Sequence, residues 1–448
     1  MPVRPSRRLV LPALALALIA ATACTSRQSA EVDRAEVLGR AESSPPPGAV
    51  QAECRAGTHT ACYTFGQLRT AYGIDALAKQ GLTGKGVTVA VIDPIGAPNA
   101  ARDLKEFSRQ SGLPAPHLKV VDHQPANGSA APFDWKNKTM ADSAREVTMD
   151  LQAVHAMAPD ARIVLHQMRF APTEVENQID PAAFTTLVRT LADIGRHRSA
   201  EVISLSLGYP EAGPGVPEFG ALYRAASEMF SGMVGEGITL VAASGDNGAF
   251  DPNGSVGGAP DRTVDWPASD PQVTGVGGTR LFLDDAGRRT RPDSVWDDSV
   301  GAPGGGRSAV FGRPAYQSSV ADKAGKQRAV PDLSLTASAE GSTMVRFTDD
   351  QGSGWEPMGG TSLSAPLFAG IVALADQKHG GGLGNINPAL YRLAPDPGTG
   401  ASSGIVDITT GRNGTGGYPA GPGYDLASGL GTVDAQKLVP ALAGRSRS

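Results

Sequence analysis

Aromatic side chains make up only 5% of this 448-residue chain, cysteine occurs three times, and neither sign of charge dominates. Forty Lys and Arg stand against 45 Asp and Glu, a formal net charge of −5, with no long basic run and no interleaving of bases with aromatics. That absence excludes the electrostatic footprint of a nucleic-acid binder. There is no internal repeat, and the one extended apolar run, residues 9–20, is too short for a stable spanning helix. Glycine (56) and proline (34) are plentiful without a collagen-like period, which predicts a loop-rich protein with many tight turns. A hydrophobic content of 40% is ample for a core, in one large domain or two to three smaller ones.

The N-terminus reads as an export signal: Arg4, Arg7 and Arg8, then the apolar run, then small residues ending "ATAC" at Cys24. "SRRLVL" (6–11) is similar to a twin-arginine export motif, and "ATAC" to a bacterial lipobox that would make Cys24 a lipidated first residue; a soluble secreted protein cleaved nearby is the alternative. Setting Cys24 aside leaves Cys54 and Cys62, an even pair that favours a small disulfide loop in an exported chain, with metal binding by two lone cysteines as the weaker alternative. Residues 25–57, rich in Ser, Pro, Ala, Glu and Arg and carrying "SSPPPG", predict a flexible tether, and a folded domain is expected over 58–448.

Within that domain "GVTVAVID" (86–93) is a short apolar run dense in β-branched residues that ends at an Asp and a turn-prone stretch, the pattern of a buried parallel strand. Similar runs recur at 161–168, 201–208 and 238–246, separated by helix-like stretches such as 181–196 and 219–235. Strands alternating with helices predict an α/β fold with a mostly parallel sheet. In such sheets chemistry gathers in the loops beyond the strand carboxyl ends, where Asp93, Gly208 and Asp246 fall.

"GGTSLSAPLFAGIVAL" (359–374) places a Thr-Ser pair ahead of an apolar helix, with a Pro expected near its first turn. A Ser at a helix N-terminus sits in a field that stabilises developing negative charge, although "GTS" alone is often a helix cap. A hydroxyl becomes a useful nucleophile only beside a base. "REVTMDLQAVHAM" (145–157) offers one, because Glu146 and Asp150 stand one helical turn apart on an arc shared with Val147, Leu151, Val154 and Met157, while Thr148, Gln152 and His155 point the other way. The two acids therefore face inward, which is costly unless they are hydrogen-bonded or functional. A solvated face, or a salt bridge with Arg145, is the plain alternative. His123 and His155 read as surface or packing residues.

Together with "VAVIDPIGAPNAARDLKEFSRQSGLP", "APDARIVL", "VISLSLG", "ASGDNGA", "VTGVGGTRL", "GGGRSAVFGRPAYQ" and "RAVPDLSL", these segments resemble the sedolisin family of serine-carboxyl peptidases over residues 63–442. None of the seven histidines is followed by Gly-Thr and an apolar helix, as the subtilisin branch would require. The resemblance implies a subtilisin-like three-layer α/β fold and a monomeric, exported endopeptidase acting on peptides or unfolded proteins. It implies Ser362 as nucleophile, Glu146 as its base, Asp150 as the support of Glu146, and Asp246 as a contributor to the oxyanion hole. A carboxylate base stays ionised in acid and an oxyanion-donating carboxyl must be protonated, so activity below neutral pH is expected. Asp246 alone could equally form an Asx-turn at a strand end. The resemblance also implies one structural calcium ion, held by the side chains of Asp407 and Asp425 and the carbonyls of Ile408, Gly421 and Gly423, oxygen ligands that suit a hard cation. Two departures stand out: the stretch ahead of the first core strand is short beside the family's propeptide domain, and Thr148 stands where some relatives carry a further acid. An inactive lipoprotein that keeps the fold as a binding module is the alternative from another functional class.

Overall fold

The four apolar runs are strands, joined by three more: β1 (Thr88–Asp93), β2 (His117–Asp122), β3 (Arg162–Gln167), β4 (Val202–Leu205), β5 (Thr239–Ala243), β6 (Val273–Arg280) and β7 (Leu333–Thr336). This computed structural model describes residues 47–58, 61–126, 128, 130, 132–170, 181–211, 216–250, 262–394 and 403–444. The export segment and Cys24 lie outside the described residues.

The seven strands form one parallel sheet in the order β7-β6-β5-β4-β1-β3-β2, with Ser294–Val295 added antiparallel to β6. The chain leaves β1 toward β2 and β3 on one side and toward β4 on the other. Loops at the carboxyl ends of β1 and β4 therefore diverge and open a crevice. Alternation along β1 divides the interior into two layers: Val89 and Val91 join one core, Ala90 and Ile92 the other. Helices α3 (Pro181–His197) and α4 (Val216–Gly235) cover the second face. The first face holds α1 (Ala100–Gln110), α2 (Lys138–Met157) and α5 (Thr361–His379), the last buried continuously from Thr361 to Asp376. A helix apolar all round belongs beneath a sheet, and α5 runs there across β4, β5 and β6.

Helices α2 and α5 pack directly on each other, and Gly370 sets their separation. A Cβ built there would stand 2.6 Å from Met157 Cβ and 3.2 Å from the Val154 carbonyl, too close to accommodate without movement. Gly370→Ala is expected to cost about 1–3 kcal/mol through overpacking, read as a lower denaturation midpoint with an unchanged m-value; an unchanged midpoint would show that the crossing can relax.

One expectation needs correction. The last part of the expected tether is a helix, Pro47–Thr58, whose Cys54 forms a disulfide with Cys62 (Cα–Cα 6.2 Å) and so ties that stretch to the domain. On the far side of α2 Thr148, Gln152 and His155 are all buried, which makes His155 a packing residue. Gln152 donates to the Arg346 carbonyl (2.6 Å) and accepts from the Arg346 N–H (2.9 Å) on the hairpin of β8 (Thr343–Thr348) and β9 (Ser353–Met358). The side-chain amide thus continues the hairpin's hydrogen bonding into the helix. Among the described residues no helix is long and apolar enough to cross a membrane.

Candidate active site

Helix α2 begins where the Asn137 side chain accepts from the Met140 N–H (3.1 Å), and it carries Glu146 and Asp150 on successive turns beneath the open end of the sheet. Helix α5 brings Ser362 to meet them. The Ser362 hydroxyl donates to Glu146 Oε1 at 2.8 Å, with Ser362 only 4% exposed. No imidazole pairs with Ser362 among the described residues. His155 sits on the other side of α2 against the Pro114 carbonyl (3.1 Å), where burial lowers it to about 4, and His123 pairs with His166 (2.8 Å). Arg145 leaves the two acids alone and instead pairs with Glu356 (3.1 Å) over the Phe347 ring.

Ser362 is not a cap. The N-cap of α5 is Gly360, at φ 102°, and Ser362 occupies the second helical position, so its own N–H has no intrahelical partner and is free to donate. Capping comes from another loop: Asp246, three residues beyond β5, accepts from the Thr361 N–H (2.8 Å) and hydroxyl (2.6 Å), both on Oδ1. Its Oδ2 faces Gly360, where a Cβ would stand 2.7 Å away, so glycine is required both for the backbone angle and for the space. Asp246 is therefore not a self-contained turn residue. It bridges the β5 loop to the nucleophile helix.

Pro366 lies in the second turn of α5, deeper than the first-turn placement its spacing suggested. A proline there has no N–H for the carbonyl four residues back, which is that of Ser362. The Ser206 hydroxyl, just past β4, takes up that carbonyl at 3.2 Å. Ser206 also hydrogen-bonds Asp150, which makes it a link between acid pair and serine that the sequence reading did not single out.

The electrostatics follow from burial. Glu146 keeps part of its side chain open, but its carboxyl end is walled in, and desolvation pushes it up to about 8 against the hydrogen bond from Ser362. Asp150, 2% exposed, is pushed well above the carboxylate range by burial and then by the neighbouring Glu146 charge, and its Oδ1 has no hydrogen-bond partner. Two carboxyls so placed share the burden of a single charge, and of the two it is Glu146 whose Oε1 meets the Ser362 hydroxyl and can accept its proton. Asp246 is also raised, by burial, against the two Thr361 hydrogen bonds that favour its ionised form. The arrangement offers a hydroxyl beside a proton acceptor, with a helix-end N–H and a carboxyl oxygen on the other side.

The profile of the subtilase family matches residues 84–389, from the turn before β1 to the helix after α5. The chain belongs to the subtilase family. The chain is also similar to the sedolisins: kumamolisin from Bacillus sp. (strain MN-32) is 32% identical over 380 residues, covering 81% of this chain and 61% of kumamolisin, and sedolisin from Pseudomonas sp. (strain 101) is 30% identical over 367 residues, covering 80% and 58%. This subtilase therefore spans about three-fifths of the length of these relatives. The solved structure of Pseudomonas sedolisin, a serine-carboxyl proteinase complexed with two molecules of pseudo-iodotyrostatin, superposes with a TM-score of 0.68 at 27% identity, covering 85% of this chain and 97% of that one.

In this subtilase the residues expected to hold calcium converge on one loop. Asp407 Oδ2 accepts from the Gly423 N–H (2.8 Å) and Asp425 Oδ2 from the Gly421 N–H (3.0 Å). Asp407 Oδ1 is buried with no hydrogen-bond partner, an oxygen of the kind that fits a cation ligand. Among the described residues no group of three or more His, Cys, Asp or Glu side chains could hold a metal, so calcium here would rest on two carboxylates with the Ile408, Gly421 and Gly423 carbonyls. The donor set is all oxygen and fits a hard cation.

Proposed function

We propose that this chain is an exported, monomeric serine-carboxyl endopeptidase that cuts peptides and unfolded proteins in mild acid through an acyl-enzyme. The observation that supports it most is the 2.8 Å hydrogen bond from Ser362 to Glu146. Ser362 Oγ attacks the scissile carbonyl carbon as its proton passes to Glu146, with Asp150 holding that carboxylate in place. The carbonyl oxygen becomes an oxyanion, received by the Ser362 N–H and by protonated Asp246. Glu146 returns the proton to the departing amine, and water repeats the sequence on the acyl-serine to release the acid. The signal-like residues 1–24 support export, and acylation of Cys24 would hold the product at the membrane.

Productive chemistry needs Glu146 ionised and Asp246 protonated, so the rate is a bell peaking between the two ionisations, whichever group carries the higher one. Because burial raises both, the bell lies above the ordinary carboxylate range, from mildly acidic toward neutral. Cleavage of unfolded protein followed from about pH 3 to about pH 8 is expected to show this bell and to vanish in Ser362→Ala; an alkaline optimum, or full activity without the hydroxyl, would refute it. Asp246→Asn keeps a donor that cannot ionise. It is expected to retain about a tenth of the peak rate or more and to lose the alkaline limb, whereas a limb left in place would remove Asp246 from the oxyanion site.

Calcium enters the proposal as a structural ion that would neutralise Asp407 and Asp425 and fix the loop between them. Excess chelator is then expected to lower the melting midpoint by several degrees and added Ca²⁺ to restore it; a midpoint indifferent to both would exclude the site.

A further inference from the structure

Between the loop after β1 and the start of α2 lies a cavity of about 200 Å³, lined by Ile95, Ala97, Phe133, Met140, Gln167 and Arg169 among others. It is too small for a cofactor-sized ligand and suits one side chain. Its walls are continuous with the site. The 95–98 segment follows Asp93, whose carboxyl accepts from Ser143 (2.9 Å) and whose charge reaches both Glu146 and Asp150. Met140 lies about 9 Å along α2 from Glu146, a distance an extended peptide covers in two to three residues. The walls are also rigid: Met168 N–H donates to the Asp93 carbonyl (2.9 Å), Phe170 N–H to the Pro94 carbonyl (3.0 Å), and Ala97 N–H to Gln167 Oε1 (2.9 Å).

Arg169 is the one charged residue in this lining, and its backbone is held in the left-handed region at φ 54°, a conformation a bulky residue keeps only where its surroundings impose it. Gln167 is already committed, accepting from Ala97 and donating to Asp122 (2.9 Å). Among the described residues the guanidinium pairs loosely with Asp122 at 3.7 Å, with both side chains well exposed, an ion pair of little strength.

We infer that this cavity is a specificity pocket that takes a glutamate side chain of the substrate, two or three residues from the scissile bond, with its stem along Ile95, Phe133 and Met140 and its carboxylate on Arg169. The inference rests on the peptidase reading and adds to it a substrate class. Glutamate fits better than aspartate because its longer stem crosses the apolar walls before the charge meets the guanidinium.

The test uses matched peptides in which Glu, Gln or Lys is walked through three positions on each side of one cleavable bond, assayed at about pH 5.5, where a free glutamate is ionised. At one position, two or three residues from the bond, Glu is expected to exceed Gln about three- to tenfold in kcat/KM. Arg169→Ala should abolish the ratio, Arg169→Glu should turn the preference toward Lys, and Asp122→Asn, which frees the guanidinium, should enlarge the preference for Glu. Cleavage without a glutamate preference, or a preference that survives Arg169→Glu, overturns the pocket and leaves the peptidase reading standing. Absence of cleavage in every peptide overturns both.

Discussion

Glu146→Gln is expected to lower kcat by about three to four orders of magnitude while the protein stays folded. Glutamine has the same shape, and its amide oxygen can still accept from the Ser362 hydroxyl now bound at 2.8 Å, but it cannot take the proton. The loss therefore falls on chemistry rather than on assembly of the site, and it should appear in kcat with KM nearly unchanged. Asp150→Asn should cost less, about two orders of magnitude, because it removes the support of the base and leaves the base in place. Steady-state kinetics on one peptide, beside thermal melts of each variant, decide the matter. Activity of Glu146→Gln within tenfold of the parent would assign the base elsewhere.

Stability should peak in mild acid and fall as pH rises toward 8, the reverse of a protein held together by salt-bridged carboxylates. Burial raises Glu146 to about 8, Asp93 to about 7 and Asp270 to about 6, with Asp150 and Asp376 raised as well. A group whose proton is held more tightly in the folded chain contributes stability that is complete below its unfolded value and is lost as pH climbs through its folded value. Three histidines act against this: His155 and His166 are lowered to about 4 and His123 is lowered as well, so each contributes stability above its ordinary value that is lost as pH falls. Between about pH 6.5 and pH 8 the histidines lose only their remaining charge, about half at the lower end, in the unfolded chain, while the raised acids still hold protons in the folded one, so the acids outweigh them and the melting midpoint drops. Below that window the two sets oppose each other, which places the maximum near pH 5–6. Glu146→Gln, with no proton left to lose, should melt above the parent at about pH 8 and gain nothing near pH 4. A parent midpoint that rises between pH 6.5 and pH 8 would show that the acids are not buried as described.

The meeting of acid pair and serine was legible because each half carries a local pattern. The spacing of Glu146 and Asp150 puts them on one helical arc, and the glycine-rich approach to Ser362 marks a helix start. What joins them is tertiary and leaves little local trace. Ser206 matters because Pro366, 160 positions later in the chain, frees a carbonyl above it, and nothing near Ser206 announces that. Asp246 was named through family likeness, and its actual partner, Thr361, is invisible to a reading of the β5 loop alone. The burial of the other face of α2 is tertiary as well, since this helix lies between α5 and the hairpin of β8 and β9. The edge strand β2 escaped notice because its residues are largely exposed and lack the apolar run that marked its neighbours. The sedolisin motifs carried the fold because most of them lie on a strand of the sheet or in the loop that follows it.

The claim on which the account turns is that Glu146 acts through Ser362 and not independently of it. A double-mutant cycle in kcat/KM, with Ser362→Ala, Glu146→Gln and the pair together, measures that directly. The account predicts that each single change removes nearly all activity and that the double variant is no worse than either one. Losses that multiply in the double variant would contradict it.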